Sequence, residues 1–337
     1  MKILVTGATG FVGSHSAAAL LRAGHSVRFL ARNPTALRQH FTNWGLAADD
    51  VLQADMQDAA AVRKALHGCD GVLHAAASVN LDPAHAAATY RSNLAGVQHV
   101  LGAACELGLP RMVYVSSLSV LFTPDLPRLD ENSPLAASRD AYTQSKTAAE
   151  RLVRQWQAAG QPIQTTYPAA IIGPDDPKLC ASNAGLRTFA SKTLPLTRTG
   201  FQLVDVRDLA ALHLRLLEQN PSEQTGRYIV GGHYLPWRDL AAALQSVMGR
   251  KPPTVALPAP VLRGLAALAD MVQRVHPFDT QLTGEAVAFM TRWSPADSSR
   301  VLAHTGYAFR PVEHTLADTL AWMVQAGHLR SDFSTSP

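Results

Sequence analysis

The chain of 337 residues is 47% apolar and 17% charged, a balance that buries a core and excludes intrinsic disorder. A formal charge of +4 is too thinly spread to argue for nucleic acid, and no apolar run reaches the roughly 18 residues that span a bilayer. The opening run Met1-Lys2-Ile3-Leu4-Val5 is cut by Thr6-Gly7, too early for a secretory segment, so a soluble, cytoplasmic protein is expected.

In chain order, short β-rich runs at 3–5, 27–30, 51–52, 72–73 and 112–115 alternate with helical patterns at 11–23, 59–66, 85–107 and 142–159. Further strands are expected at 163–167, 202–204 and 228–230, with Asp205 or Asp208 opening a helix through Leu217. Such alternation predicts a parallel sheet with helices on both faces. Residues 174–199, with Pro174, Pro177 and Pro195, read as an irregular insertion or lid. From Pro236 the pattern turns helical at 237–248, 260–275, 282–290 and 312–324, and a polar tail follows. In the helix at 260–275, Leu262, Leu265, Leu268 and Met271 suit core packing better than a membrane-facing surface. The expected fold class is therefore α/β: a doubly wound parallel sheet with a smaller, mainly helical C-terminal substrate lobe. Residues 1–166 and 200–232 are expected to form the sheet domain, 167–199 and 233–327 the lobe, and 328–337 the tail.

Cys69, Cys105 and Cys180 are odd in number and far apart, which suits reduced thiols. No two histidines stand three or four residues apart, so no metal site is expected.

The first strand runs into Thr6-Gly7-Ala-Thr9-Gly10-Phe11-Val12-Gly13 and then an apolar helix. Gly7 permits a tight turn, Gly10 lets backbone approach a pyrophosphate, and Gly13 allows close helix–strand packing, with the anion at the helix N-terminus. This Thr-Gly-x-x-Gly-x-x-Gly turn resembles that of the extended short-chain dehydrogenase/reductase family. The resemblance covers nearly the whole chain and implies a Rossmann fold with Gly7, Thr9, Gly10, Phe11, Val12 and Gly13 at the cofactor.

Ala31-Arg32 follows the second strand where an acidic residue often holds the adenosine ribose. An arginine there suits a 2′-phosphate by charge and by stacking, and Arg38 stands a turn later. NADP(H) is thus favoured, with NAD(H) the other possibility. Asp55 and Met56 are similar to the family's adenine-side residues, although helix capping is an alternative for Asp55. Ala75, Ala76 and Ala77 match its small-residue stretch beside the cofactor.

Tyr142-Thr-Gln-Ser145-Lys146 puts Tyr142 and Lys146 one helical turn apart. A lysine ammonium and an oxidised nicotinamide would lower the phenol's pKa toward neutrality, and lysine can also hold the nicotinamide ribose. Ser117, 25 residues before Tyr142, falls on the family's catalytic serine ahead of Ser116 and Ser119. Asn93 resembles its supporting helix asparagine. Pro168, Ala170 and Ile171 lie in the segment that passes the nicotinamide. Sugar-nucleotide epimerases of the family carry a phosphate-binding asparagine here; this chain has Pro168-Ala169-Ala170. That departure resembles the dihydroflavonol-reductase and 3β-hydroxysteroid-dehydrogenase branch.

The expected function is NADP(H)-dependent hydride transfer between nicotinamide and a ketone or secondary alcohol of a small organic substrate. Two alternatives stand beside it: a sugar or sugar-nucleotide epimerase/dehydratase with retained NAD, and a non-catalytic NAD(P)-sensing module. Relatives pair through the helices at 85–107 and 142–159, which implies a homodimer. The basic residues Lys178, Arg187, Lys192 and Arg198 read as a solvated loop rather than an anion-binding lid.

Overall fold

The computed structural model describes residues 1–79, 85–124, 126–138, 140–220, 225–273, 284–330 and 333. Residues 274–275 of the helix expected at 260–275, residues 282–283 of that expected at 282–290, and most of the tail lie outside the described residues.

The alternating pattern folds as β1 (Lys2–Thr6), α1 (Phe11–Arg22), β2 (Ser26–Ala31), α2 (Pro34–Thr42), β3 (Asp50–Gln53), α3 (Ala59–Leu66), β4 (Gly71–His74), α4 (Ala86–Glu106), β5 (Met112–Val115), α5 (Ala141–Ala158) and β6 (Ile163–Pro168). After an excursion, α7 (Val206–Glu218) and β10 (Gly226–Val230) complete a seven-stranded sheet of order β10-β6-β5-β4-β1-β2-β3. Every pairing in it is parallel. The direction of winding reverses between β1 and β4, so a crevice opens there at the carboxyl ends of the strands.

Both faces of the sheet are covered. On one, α1 and α7 pack with Val5, Phe29, Val113, Leu209 and Leu212; on the other, α3, α4 and α5 enclose Leu4, Val72, Val100, Tyr114 and Val153. The inner strands β1, β4 and β5 are largely apolar on both sides because neither face meets water. Side chains start several helices: Asn33 caps α2, Asp58 caps α3, Asp140 caps α5 and Asp205 caps α7.

The lobe is built from β7 (Ala170–Ile172), α6 (Ala181–Ser191), β8 (Leu194–Pro195), β9 (Gly200–Asp205), β11 (His233–Pro236), α8 (Trp237–Met248), β12 (Thr254–Val255) and four more helices. Those are α9 (Ala259–Gln273), α10 (Gly284–Arg292), α11 (Ser299–Thr305) and α12 (Val312–Gln325). Strands β11, β9 and β7 form a second sheet, over which α6, α8 and α12 share a core around Trp237, Leu240 and Leu316.

Two expectations need correction. Residues 174–199 are not irregular: α6 forms there because Asn183, Leu186 and Ala190 recur at helical spacing on its buried side. Along α9 only Leu262 of the four apolar positions is buried, while Leu265, Leu268 and Met271 are exposed beside Val261 and Val272. The core there is small, since α9 meets α10 through little more than Leu262, Ala266 and Val287.

Three buried histidines tie elements together as neutral rings. His213 of α7 bridges Ser16 of α1 at 2.9 Å and Thr166 of β6 at 3.1 Å, and burial lowers its pKa to about 3. His74 meets Thr6 at 2.8 Å and is also lowered to about 3, while His15 meets the Pro174 carbonyl at 3.2 Å and is lowered to about 4. Each takes up a proton more readily unfolded than folded, so stability is full above about pH 6.5 and falls as pH drops toward 4. Each ring adds up to about 1.4 kcal/mol per pH unit to that slope. Urea midpoints between pH 7 and 4.5 should follow it, with His213→Gln less steep than wild type; equal slopes would remove His213 from the account.

Candidate active site

The glycine turn sits at the crevice between β1 and β4. Gly7 has a φ of +79°, and a Cβ there would lie 2.7 Å from the Ala76 nitrogen. At Gly13 a Cβ would stand 2.3 Å from the Gly7 carbonyl oxygen, so α1 touches the turn backbone to backbone. Thr6 fastens the opposite wall: its carbonyl accepts from Ala75 N, and its hydroxyl accepts from Ala76 N at 3.3 Å. Unlike α2, α3, α5 and α7, α1 begins at Gly10 with no side-chain cap, which leaves its first-turn amides at Phe11 and Val12 for an anion. This bare cradle, with Thr9 in the turn, fits a dinucleotide's pyrophosphate.

At the end of β2, Arg32 is 80% exposed and stands 3.8 Å from Asp55. Arg32, Asn33, Thr35, Arg38 and Gln53 line an open cleft of about 580 Å³. Asp55 forms a local turn by accepting from Gln57 N at 2.9 Å, while capping of α3 falls to Asp58. Met56 packs over Gly96 of α4, where a Cβ would meet its sulfur at 2.6 Å. Three strand spacings of about 4.8 Å separate β2 from β5, the scale of an extended dinucleotide laid across the sheet edge.

On the far side of the crevice, Asp140 accepts from the amides of Tyr142 and Thr143, each at 2.9 Å, and so sets Tyr142 in the first turn of α5. Ser117 follows β5 and accepts from Ser119 N at 3.2 Å, and its hydroxyl stands near enough to the Tyr142 phenol to favour the phenolate. Ser116, by contrast, is buried and turned toward Glu150. Lys146 is buried, and its Nζ donates to the Val115 carbonyl at 2.9 Å. Asn93 of α4 accepts from Ser78 N at 2.7 Å and donates to the Ser78 carbonyl at 3.0 Å and to Ser145 Oγ at 2.9 Å. Ser145 in turn donates to the Tyr142 carbonyl at 2.7 Å. Ser117, Tyr142, Lys146 and Asn93 therefore meet around the α5 N-terminus and the end of β5.

The electrostatics run against one expectation. Lys146 was the group to bring the Tyr142 phenol down, yet burial pushes that phenol up to about 12, with the Asp140 charge adding and Ser117 opposing. Burial also pulls the Lys146 ammonium down to about 8. At neutral pH the site thus presents a protonated phenol, ready to donate.

Pro168 ends β6, and Ala170 and Ile171 open β7, which leads to Gly173; a Cβ there would lie 3.5 Å from the Phe11 ring. This segment passes the start of α1. Thr6, Asp140, Ser145 and Glu150 escaped the sequence reading. For Glu150 the signal was there, since it repeats the four-residue spacing of Tyr142 and Lys146. Among the described residues, no group of three or more His, Cys, Asp or Glu side chains is arranged to hold a metal ion.

Residues 3–231 match the model of the NAD dependent epimerase/dehydratase family. The chain belongs to that family. Family membership brings an NAD(P)-dependent oxidoreductase or epimerase activity, within the extended short-chain dehydrogenase/reductases. A Synechocystis protein named "Putative dihydroflavonol 4-reductase" is 29% identical over 336 residues, covering 97% of this chain and 96% of its own length. Cinnamoyl-CoA reductase 1 of Oryza sativa is 27% identical, with 97% and 91% covered. The crystal structure of gox2253 superposes with a TM-score of 0.80 at 29% identity, covering 97% and 99%.

The glycine contacts make a direct demand on this family member. Gly13→Ala must push the turn away from α1, since the obstructing atom is backbone, at a cost of about 1–3 kcal/mol. A lower melting temperature together with at least tenfold weaker NAD(P)H binding is expected; unchanged binding would place the pyrophosphate elsewhere.

Proposed function

We propose that the chain is an NADP(H)-dependent oxidoreductase that moves a hydride between nicotinamide and a ketone or secondary alcohol of a small organic substrate. The observation that carries this reading is the meeting of Ser117, Tyr142 and Lys146 at one strand end. The pair of arginines at the β2 cleft supports the phosphorylated nucleotide. The cofactor would lie with its pyrophosphate on Gly7, Thr9, Gly10, Phe11, Val12 and Gly13, its adenosine beside Arg32, Asp55, Met56 and Ala75–Ala77, and its nicotinamide by Pro168, Ala170 and Ile171. When bound, it supplies or accepts the hydride.

In the reductive direction Ser117 holds the carbonyl oxygen and Tyr142 gives it a proton. At neutral pH the phenol carries the proton a donor must give, and the Lys146 ammonium beside the site favours the phenolate that results. Lys146 offers its ammonium to the ribose and to the phenolate that forms. Asn93 and Ser145 hold the first turn of α5 in register, so the donor need not reorganise. Reductase names among the relatives of matching length, and the absence of an asparagine at 168–170, favour this over the epimerase reading. An intact Ser117–Tyr142–Lys146 set favours it over a non-catalytic sensor. A homodimer through α4 and α5 belongs to the same reading, and sedimentation of the purified chain checks it.

The test begins with the nucleotide released when freshly purified protein is denatured. Little should be retained, and the emptied protein should bind NADPH at least tenfold more tightly than NADH. Arg32→Ala with Arg38→Ala should erase that preference. In a ketone screen, Tyr142→Phe should lose about 100- to 10,000-fold in kcat while nucleotide binding stays. Near-stoichiometric retained NAD would overturn the reading in favour of an epimerase.

A further inference from the structure

Tyr142, Lys146, Glu150 and Arg154 recur every four residues along α5 and form one stripe of the helix. The chemistry proposed above uses the first two. Glu150 is a carboxylate with no exposed surface, and a buried charge persists only where partners replace water. Its partners come from three elements. From the residue just past β5, Ser116 Oγ donates to Oε2 at 3.1 Å; from β6, the Tyr167 hydroxyl donates to Oε1; and one turn along α5, Arg154 Nε donates to Oε1 at 2.8 Å. Helix α5 therefore grips the end of β5 at two consecutive residues, Lys146 by the Val115 carbonyl and Glu150 by the Ser116 hydroxyl. The next residue is Ser117.

We propose that Glu150 is the positioning residue of this site: it keeps the buried Lys146 ammonium charged and seats the strand end that carries Ser117 against Tyr142. The proposal rests on the reading of Lys146 and Ser117 given above. Lys146 needs such a neighbour. It is 4% exposed, donates to a neutral carbonyl, and lies 5.2 Å from the Tyr114 ring centroid. Burial works to strip its proton, and the Glu150 charge opposes that loss. The other titratable groups around the pair are His74 on β4, Tyr114 on β5, Tyr167 on β6, and Tyr142 and Arg154 on α5. Burial keeps His74 neutral and the three phenols protonated. Arg154 is then the cation paired with the Glu150 carboxylate, and Lys146, one turn back along α5, is the one whose proton that charge helps to hold.

The test is a titration of Lys146 in the free protein, using lysine labelled with carbon-13 at Cε. Its resonance is identified by its absence in Lys146→Met. Glu150→Gln should lower the Lys146 midpoint by about one pH unit, a tenfold loss of ammonium over amine at a given pH. Glu150→Asp, which keeps the charge, should recover most of that. Arg154→Gln breaks the same ion pair but spares the anion, so it should raise the midpoint. A midpoint unmoved by Glu150→Gln, or lowered alike by Arg154→Gln, overturns the proposal. Should Glu150→Gln not fold, Arg154→Gln decides alone: a rise supports the proposal, and no change or a fall overturns it. The titration needs no substrate, so its outcome is separate from whether a ketone is reduced. Where turnover is measured, the alkaline limb of kcat/KM should move with the midpoint.

Discussion

Backbone against backbone at the first turn is the contact around which the molecule is arranged. Gly7 lies against Ala75 and Ala76 on one side and against Gly13 on the other, closer than any side chain permits. That proximity holds β1 beside β4 and brings α1 down onto the turn. With the winding reversed at this point, the carboxyl ends of β1, β2, β4 and β5 open toward one crevice. The glycine turn and Tyr142 stand more than a hundred positions apart in sequence and meet along this edge.

Burial is the second organising influence, because it decides protonation before any neighbour does. It holds His15, His74 and His213 neutral, Tyr142 protonated, and Lys146 close to losing its charge. The remaining ion pairs serve attachment. At the start of α7, Asp205 caps the helix and pairs with Arg207, while Asp208 takes Arg310 at 2.7 Å and Tyr307 at 2.9 Å. Asp205 and Asp208 thus tie the start of α7 to the C-terminal segment.

Much of this was legible in the sequence. Parallel strands buried on both faces leave apolar runs, and helices between them leave a 3.6-residue pattern, so the sheet and its major helices could be read directly. The glycine spacing and Tyr142-x-x-x-Lys146 were legible because each requires a residue type at a fixed offset. Helix α2 carried a signal that went unused, an Asn33 cap followed by Pro34 in the first turn. Helix α6 was hidden by Ser182, Asn183, Gly185 and Thr188, poor helix formers that tertiary packing overrides. Asp140, like Asn33, offered a cap ahead of its helix that went unused, whereas Ser145 could not be read: nothing in residue type alone says which backbone group will be near.

The two sheets are woven by the chain rather than docked. A single residue, Ala169, separates β6 in the large sheet from β7 in the small one, and β9 of the small sheet runs straight into α7. Strand β10 then closes the large sheet, and Gly231-Gly232 return the chain to β11. During synthesis, β6 therefore has a bare edge until β10 has been made, an interval of about 3–12 s at ~5–20 residues per second. Its wholly buried side chains make that edge adhesive. The period of greatest danger to this protein is thus set by chain order, and it opens as the last residues placed along the crevice, Ala170 and Ile171, are being made.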